Sequence, residues 1–487
     1  MLFNSYIFIL LFLPLALGGY FGINHLKKYK MANVWLIGMS LWFYAYFNVS
    51  YLFLICGSIG ANYIISRLIN KDVLSFGSKK LLVLFGVFLN IGVIFYFKYF
   101  NFFISNFNIL FRQSFEILNI ILPLGISFFT FQQISYLIDS YKGETKEYRF
   151  VEYALFVSFF PQLIAGPIVL HNEMIPQFHD EAKRKPDAEN LGKGTYIFAI
   201  GLFKKVLIAD TFAKAVTWGF GTIDDLTSME ALIVSLCYTF QLYFDFSGYC
   251  DMAIGIGHMF NIKLPLNFNS PYKATSIEDF WDGWHMSLTR FLRQYIYFPL
   301  GGSRKGKVKT YVNIMIVFLC SGIWHGANWT YILWGAIHGI ANCLNRFFKN
   351  IWDRLNVITQ WFLTFMFVDL AWIIFRADSI REAGKMIKKI LIFSSFTIRD
   401  ELADCFILPE FRWMQNNIKA WSYVYYGTWG IYMWIFLAGA FFAILNFKNS
   451  SEIEFKPTLA KAVQTIFLIV WAVFSLSGVS VFLYFNF

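Results

Sequence analysis

Apolar runs of about 20 residues recur along the whole chain, and short polar stretches separate them. Each of these runs is long enough to cross a lipid bilayer as a helix. The first run, residues 3–23, has neither a basic leader nor a small-residue cleavage site, so it predicts a retained span rather than a signal peptide. The pattern as a whole predicts an all-α, multi-pass membrane protein with about eleven transmembrane helices.

One apolar segment does not fit a simple crossing. Residues 153–170 lie between two basic loops, so a single span would put positive charge on both sides of the membrane. Pro161 and Pro167 also interrupt a helix there. Both facts predict a re-entrant hairpin, whose non-helical backbone has to be covered by protein or line a cavity.

Between residues 275 and 298 the pattern changes to that of an amphipathic helix at the cytoplasmic interface. Either Thr275 with Glu278 or Ser276 with Asp279 can form a capping box at its start. We expect one helix that runs to just before Pro299, with Arg290 and Arg293 off the apolar stripe. The stripe recurs at three- and four-residue steps and consists of Trp281, Trp284, Leu288, Phe291, Leu292 and Tyr295.

Composition and charge narrow the class of protein further. Only 15% of the residues are charged, whereas soluble proteins average about 25%. The net charge of +11 fits basic cytoplasmic loops, and no nucleic-acid-binding motif is present, so we expect no nucleic-acid partner. The six cysteines form no CxxC pair, and the chain lacks HExxH, GxSxG, Walker and GxGxxG motifs. We therefore expect no disulfide framework, no metal and no bound cofactor.

Two histidines are the candidates for chemistry. No charged residue lies between Lys309 and Arg346, so His325 is predicted to sit deep in the membrane, where an ionisable side chain indicates function. A buried imidazole is available in its neutral form near pH 7, as a general base requires. The alternative is a core histidine that donates to a backbone carbonyl. His285 follows Trp284 and is expected to face protein, either as a second catalytic group or as a packed interfacial histidine.

Several neighbours of these histidines are candidate substrate contacts. Gly322 and Gly326 flank His325 and would leave room for a substrate, and Asn328 is close enough on a helix to orient one. Asp245 beside an apolar span needs a partner, for which Arg290 or Arg293 is suitable. The substrate and tunnel candidates are Trp281, Trp284, Trp324, Asn328, Trp329, Asp245 and Ser321.

The remaining histidines have weaker claims. A continuous helix would turn His338 to roughly the opposite side from His325 at 3.6 residues per turn. The others are expected in solvated loops or interfaces, namely His25, His171, His179 and His258.

Four motifs together resemble the membrane-bound O-acyltransferase (MBOAT) family, in particular its bacterial alginate O-acetyltransferase branch. They are Pro161-Gln162 with Ala165-Gly166-Pro167, Asp245-Phe246-Ser247-Gly248-Tyr249, the 281–302 helix ending in Phe298-Pro299-Leu300-Gly301-Gly302, and Ser321-Gly322-Ile323-Trp324-His325-Gly326. The resemblance covers residues 123–338 by motif. It implies a single integral-membrane domain, residues 1–487, with N-terminal spans at 1–120, a catalytic core at 121–345 and C-terminal spans at 346–487.

The resemblance also implies a fold and an activity. The fold is a ring of tilted helices around a central tunnel, with re-entrant and interfacial helices, and His325 and His285 match the family's two histidines. The activity is transfer of an acetyl group from a cytoplasmic thioester, acetyl-CoA or an acyl carrier protein, to a hydroxyl of an extracytoplasmic polysaccharide such as alginate, cellulose or peptidoglycan. A secreted SGNH-type acetyltransferase is a further candidate partner, and the expected location is the bacterial cytoplasmic membrane.

The donor site and the reaction both keep alternatives. Arg304, Lys305, Arg290 and Arg293, together with Lys183-Arg184-Lys185, are candidates to hold donor phosphates, although ordinary positive-inside charge explains them as well. Two other functions remain open: D-alanyl transfer from a carrier protein to teichoic acid, and passive conduction of acyl groups without chemistry.

Overall fold

Helices make up the regular structure of the protein, as the apolar pattern predicts. The computed structural model describes residues 1–145, 147–408, 430–476, 482 and 483. Outside helices, that part of the chain contains one isolated antiparallel bridge, between Phe268 and Trp284. Within these described ranges, five helices are long and apolar enough to cross a membrane: Phe8–His25, Ser50–Ile69, Phe76–Phe111, Lys307–His325 and Val357–Arg376. Ile431–Asn446 and Leu459–Phe474 are shorter apolar helices, and the count of about eleven spans stays a prediction.

Two compact units make up the chain, and the prediction of a single domain stays untested. The first unit comprises Met1–Ala199, Tyr249–Leu266 and Phe455–Thr465. Its helices, in chain order, are Leu13–His25 (preceded by a π-helical turn, Phe8–Phe12), Tyr29–Ala45, Ser50–Ile69, Phe76–Ile94, Phe100–Phe111, Ile126–Lys142, Phe150–Ser158, Phe160–Leu163, His171–His179 and Ala188–Phe203.

The second unit comprises Ile200–Gly248, Asn267–Glu454 and Ile466–Phe487, and it contains both candidate histidines. Its helices, wholly or in part, are Asp210–Gly221 (preceded by a π-helical segment, Lys204–Ala209), Ser228–Met259, Ile277–Gly283, Met286–Leu292, Lys307–His325, Trp329–Phe347, Lys349–Trp352, Val357–Arg376, Ile380–Leu391, Asp400–Asp404, Ile431–Asn446 and Leu459–Phe474. Residues 376–421 mix both charge signs in the sequence, which predicts an external loop with interfacial helices, and residues 409–421 of it lie outside the described residues.

The segment predicted to be re-entrant is broken, as its prolines predict. It is also fully buried, as its non-helical backbone requires. The chain leaves the helix at Phe159, forms the four-residue helix Phe160–Leu163, and then loses regular structure before His171. Every residue from 153 to 171 is buried. His171 is therefore not solvated as predicted: its Nε2 lies 3.3 Å from a carboxylate oxygen of the buried Asp139.

The helix Ser228–Met259 extends 32 residues, and Gly255 lies within it near its end. A Cβ atom on Gly255 would come within 2.6 Å of the Gly194 carbonyl oxygen. This glycine thus serves close packing between two helices of the first unit rather than a turn.

The predicted amphipathic helix is not continuous. Ser276 caps its start by accepting a hydrogen bond from the Asp279 amide, which selects the second of the two capping options. The helix ends at Gly283, and a new one begins at Met286. His285 lies in the break, with left-handed backbone angles (φ 45°, ψ 50°) that a side chain other than glycine rarely adopts. The apolar spacing could not predict this, because both helices keep the same three- and four-residue steps.

Glycines join the helices Lys307–His325 and Trp329–Phe347 backbone to backbone. A Cβ atom on Gly322 would lie 2.4 Å from the Tyr331 carbonyl oxygen, and one on Gly335 would lie 2.4 Å from that of Phe318. A Cβ atom on Gly326 would meet the Tyr331 ring. The prediction that Gly322 and Gly326 make room for a substrate is therefore wrong, because neighbouring helix and side-chain atoms occupy that room.

The same helix pair overturns the expectation for His338. The chain turns back at residues 326–328, so the rotation of a single helix does not relate His338 to His325. Both imidazoles pack against one indole, that of Trp334, with ring centroids 5.2 Å (His325) and 4.8 Å (His338) from it.

We expect Gly335→Ala to destabilise the protein. The added methyl would press on the Phe318 carbonyl, which can move only if the helices separate, and such overpacking typically costs about 1–3 kcal/mol. The midpoint of thermal unfolding in detergent should fall. Gly384→Ala is the control, because a Cβ atom there meets nothing within 4 Å. A Gly335→Ala protein that melts at or above the wild-type midpoint would contradict the packing role.

Candidate active site

Asn267 holds His285 and the start of the helix behind it. Its side-chain oxygen accepts hydrogen bonds from the Ser287 amide (3.2 Å) and the Ser287 hydroxyl (2.9 Å), and the His285 Nδ1 lies 3.1 Å from it. An amide oxygen only accepts, so Nδ1 carries the proton that it shares with Asn267. In a neutral His285 the basic nitrogen is then Nε2. Asn267 and His285 are both buried, with 0% and 1% of their surface exposed.

The backbone at His285 is a second sign that this position is specialised. A left-handed conformation costs a non-glycine residue about 1–2 kcal/mol. The Met286 amide donates to the Asn267 carbonyl (3.0 Å) and the Asn269 amide to the Gly283 carbonyl (2.9 Å), so the surrounding loop fixes the break. Strain held in place by its surroundings is typical of functional sites.

His325 is the last residue of the helix Lys307–His325, and 5% of its surface is exposed. Three aromatic side chains surround its imidazole: Trp324 at 5.0 Å, Trp334 at 5.2 Å and Phe375 at 5.2 Å between ring centroids. The Trp334 ring is perpendicular to it, at 89°. The sequence correctly placed this histidine in an apolar interior.

The Trp324 indole contacts both histidines. Its ring centroid lies 5.0 Å from that of His325 and 6.0 Å from that of His285. The two imidazoles, which are 40 residues apart in the chain, therefore share one neighbour in the second unit. The structure thus brings together the two residues that the sequence analysis proposed as catalytic. We call the packed aromatic rings around them the chamber: Trp324, Trp334 and Phe375 around His325, and Trp324 and Phe246 around His285. That Trp324 forms the wall of a substrate tunnel stays a prediction.

The other predicted tryptophans take different positions. Trp281 is buried and donates its indole N–H to the Nδ1 of His338 (3.2 Å). Trp284 packs against Trp372 at 5.0 Å and Phe268 at 5.0 Å, in the aromatic core. Trp329 is 53% exposed, so the structure does not place it in the chamber.

Asn328 also has a different role from the predicted one. Its side-chain oxygen accepts from the Thr330 amide (3.1 Å), and its nitrogen donates to the Asp378 carbonyl (3.0 Å). Asn328 caps the helix Trp329–Phe347 and is not itself helical. It fixes the turn after His325, and the idea that it orients a ligand from the same helix as His325 is wrong.

A cavity of about 330 Å³ opens beside Ser321, one helical turn before His325. Its polar rim includes Arg293, which lies 3.3 Å from Asp282, and Arg346. Its apolar wall includes Trp281 and Leu288. The full lining is Glu278, Trp281, Asp282, Leu288, Thr289, Leu292, Arg293, Tyr297, Phe298, Ser303, Ile314, Val317, Phe318, Ser321, Asn342 and Arg346. Its size is at the lower end of the range for small-molecule sites.

The predicted donor-binding residues are only partly brought together. Of the four, Arg293 lines the cavity. Arg304 and Lys305 are exposed on the glycine-bounded loop that precedes Lys307–His325, and Arg290 is half-buried. In the first unit, the Arg184 guanidinium donates to the Phe178 carbonyl and to the Asn24 side chain (3.1 Å). This arginine therefore stabilises the fold of that unit.

Asp245 pairs with a lysine and not with an arginine. The Lys205 ammonium lies 2.6 Å from Asp245 and 2.8 Å from Asp210, and the Leu483 amide donates to the second Asp245 oxygen (2.9 Å). Lys205 belongs to the π-helical segment Lys204–Ala209, and it is the partner that the sequence analysis sought in Arg290 or Arg293. Next to Asp245, the Phe246 ring packs edge-on against His285 at 4.9 Å.

Sequence reasoning missed Asn267, Lys205 and His338 as parts of the site. Asn267 stood in a proline-containing loop without a distinguishing pattern. Lys205 carried a usable signal, because a lysine within an apolar run needs a partner, and Asp245 had the same need. His338 was assigned by a helical rotation that does not apply across the turn.

The site lies within a stretch of the chain that matches a known protein family. The model of the membrane-bound O-acyltransferase (MBOAT) family matches residues 126–375, which include both histidines, Asn267 and the aromatic chamber. The chain belongs to this family. It is therefore an acyltransferase and a multi-pass membrane protein, as the four motifs and the apolar runs predicted.

Named relatives cover much or all of the chain. The peptidoglycan O-acetyltransferase of Helicobacter pylori is 42% identical over 522 aligned residues, which cover 100% of this chain and 98% of the relative. The probable alginate O-acetylase AlgI of Pseudomonas aeruginosa is 38% identical, with 82% of this chain and 76% of the relative covered. The teichoic acid D-alanyltransferase of Bacillus subtilis is 29% identical, with 53% and 69% covered.

We expect Lys205→Met to destabilise the second unit. The change leaves Asp245 and Asp210 without their shared cation, and breaking a buried ion pair in this way typically costs about 3–5 kcal/mol. The protein should melt at a lower temperature or fail to accumulate in membranes. Lys214→Met, at an exposed position nearby, serves as the control. Equal stability of both variants would show that the ion pairs of Lys205 with Asp210 and Asp245 do not stabilise the protein.

Proposed function

We propose that this protein moves an acetyl group from a cytoplasmic thioester to a hydroxyl of an extracytoplasmic polysaccharide, directly or through a secreted acetyltransferase. The observation that carries the proposal is the pair of buried histidines that both contact Trp324. The relatives named for peptidoglycan and alginate support this acceptor class. The expected site of action is the bacterial cytoplasmic membrane.

His325 acts as the general base in this proposal. Its neutral imidazole takes the proton from the acceptor hydroxyl while the hydroxyl oxygen attacks the thioester carbonyl carbon. The tetrahedral intermediate collapses, the carbon–sulfur bond breaks, and the imidazolium returns its proton to the departing thiolate. A positioned base typically contributes about 10²–10⁴-fold to such a reaction. The aromatic rings around His325 exclude water, which would otherwise hydrolyse the thioester.

The hydrogen bond to Asn267 narrows the role of His285. A histidine that stabilises an oxyanion has to present an N–H, but the Nδ1 proton of His285 is directed at Asn267. Its Nε2 is the basic nitrogen in the neutral ring, so His285 is suited to accept a proton or to carry an acyl group as a nucleophile. As a second catalytic group, His285 could orient the donor, stabilise the oxyanion or relay an acyl group, and its hydrogen bond with Asn267 favours the acyl relay over oxyanion stabilisation.

The cavity beside Ser321 is the proposed entry for the thioester arm. It leads from the rim at Arg293 and Arg346 to Ser321, one turn from His325. Arg293 and Arg346 belong to the basic segments that the positive-inside rule assigns to the cytoplasm, so we expect this rim on the cytoplasmic side. Arg293 would contact the donor's phosphates, and the exposed Arg304 and Lys305 would add long-range attraction. Acetyl-CoA and an acyl carrier protein both present such a phosphate and a slender thioester chain.

Two alternatives remain distinguishable by experiment. Alanyl transfer to teichoic acid is supported by a relative that covers only 53% of this chain. Mass spectrometry of the acyl groups released from the cell-surface polymer separates acetate from alanine. A passive conduit would give no ester product when purified protein meets a labelled thioester and an acceptor, and family membership argues against it.

We expect His325→Ala to abolish O-acetylation of the surface polymer, because the reaction loses its base. The loss should be at least about 10²-fold. Acetate released by mild alkali and measured against the amount of protein in the membrane tests this. His25→Ala, an exposed histidine at the end of the first span, is the control. Wild-type acetate content in the His325→Ala strain would refute the proposed function.

We expect Arg293→Ala to raise the KM for the thioester with little change in kcat, because the side chain is on the cavity rim and not beside the reacting atoms. Steady-state kinetics of the purified protein with labelled donor measure both constants. Arg354→Ala changes a basic residue that does not line the cavity. An equal effect of the two substitutions would indicate only a general charge effect.

A further inference from the structure

A third buried histidine belongs to the same chamber but has no part in the reaction described above. His338 is completely buried, and its Nδ1 lies 3.2 Å from the Nε1 of Trp281. An indole N–H can only donate, so Nδ1 of His338 has to be the acceptor. The imidazole that makes this bond is therefore neutral and carries its proton on Nε2.

His338 is linked to the cavity through Trp281 and to His325 through Trp334. Its partner Trp281 lines the cavity next to Ser321. Its neighbour Trp334, 4.8 Å away between ring centroids, packs perpendicular to His325. Trp281 and Trp334 also contact each other, at 5.7 Å. The His338 imidazole thus contacts both Trp281, in the wall of the proposed thioester entry, and Trp334. Trp334 in turn packs against the proposed base His325.

Stability alone does not explain a histidine here. Among the described residues, the Nε2 of His338 and the Nε1 of Trp334 have no hydrogen-bond partner, although both side chains are fully buried. A buried polar group without a partner costs about 1–3 kcal/mol. Phenylalanine would remove the unpartnered Nε2 but would leave the buried Trp281 N–H without its acceptor, so either residue leaves one donor unsatisfied. What histidine adds is therefore a fixed direction for the Trp281 indole, which indicates a role beyond stability.

We propose that His338 is a positioning residue for acyl transfer. By accepting the N–H of Trp281 it sets the orientation of the indole that forms the cavity wall, and through Trp334 it keeps the His325 ring aligned with the end of that cavity. The proposal rests on the roles proposed above for His325 and the cavity. The ligand that depends on it is the thioester donor, whose chain has to pass Trp281 before it reaches His325.

A double-mutant cycle tests the Trp281–His338 bond. His338→Phe removes the acceptor and Trp281→Phe removes the donor, and each should lower kcat/KM for the thioester about five- to tenfold, mainly through KM. The double variant should be no worse than the poorer single variant, because both changes break the same bond. His338→Asn keeps an acceptor close to the position of Nδ1 and should recover much of the loss.

A matched control separates this bond from indole bonds in general. The Trp352 N–H donates to the Thr275 carbonyl at 2.9 Å in the same unit, away from the chamber rings. Trp352→Phe should leave KM unchanged. Thermal midpoints of all variants show whether activity is lost with folding. If His338→Phe does not accumulate, Trp281→Phe and His338→Asn carry the test, and an unchanged KM in Trp281→Phe overturns the proposal.

His325→Ala, measured in parallel, distinguishes the two levels of inference. An inactive His325→Ala protein with additive effects of His338→Phe and Trp281→Phe would overturn the positioning role and leave the proposed function intact. An active His325→Ala protein would instead remove the function on which the positioning role rests. Non-additive losses together with recovery in His338→Asn would support it.

Discussion

The close backbone contact between Lys307–His325 and Trp329–Phe347 is the constraint on which the site depends. Two glycines, Gly322 and Gly335, let the helices meet without side chains between them. In a membrane, helices gain nothing from hiding apolar surface from water, so such close packing is a main source of their association. This contact places Trp334 on one helix against His325 at the end of the other. The chamber is therefore a product of helix packing as much as of its own side chains.

Polar side chains elsewhere in the second unit follow one rule: each deeply buried charge is held by groups that the chain itself supplies. Lys205 serves two carboxylates, and Asp369 accepts from the hydroxyls of Ser235 (2.8 Å) and Thr239 (2.6 Å). Where water is absent, an unsatisfied group costs several kcal/mol. The neutral His285 also has a partner from the chain, because its Nδ1 shares a proton with Asn267, and this bond decides which ring nitrogen is basic.

Apolar periodicity and the positions of the prolines were sufficient to predict the helical class, the break within residues 153–170 and the burial of the two histidines. They failed where tertiary contacts decide. The apolar stripe around Trp281 continues unchanged through the left-handed His285, so no spacing could show the break. A rotation argument put His338 on the wrong side, because Gly326 and Asn328 end one helix and begin another. The partner of Asp245 was sought among nearby arginines, whereas a π-helical segment presents Lys205.

Three donors from two residues converge on one oxygen of Asn267, and this arrangement links shape to chemistry. The loop that carries Asn267 is anchored to the start of Met286–Leu292 by the same atom that fixes the tautomer of His285. The position of the loop and the choice of the basic nitrogen therefore cannot be changed independently, because a single acceptor atom determines both.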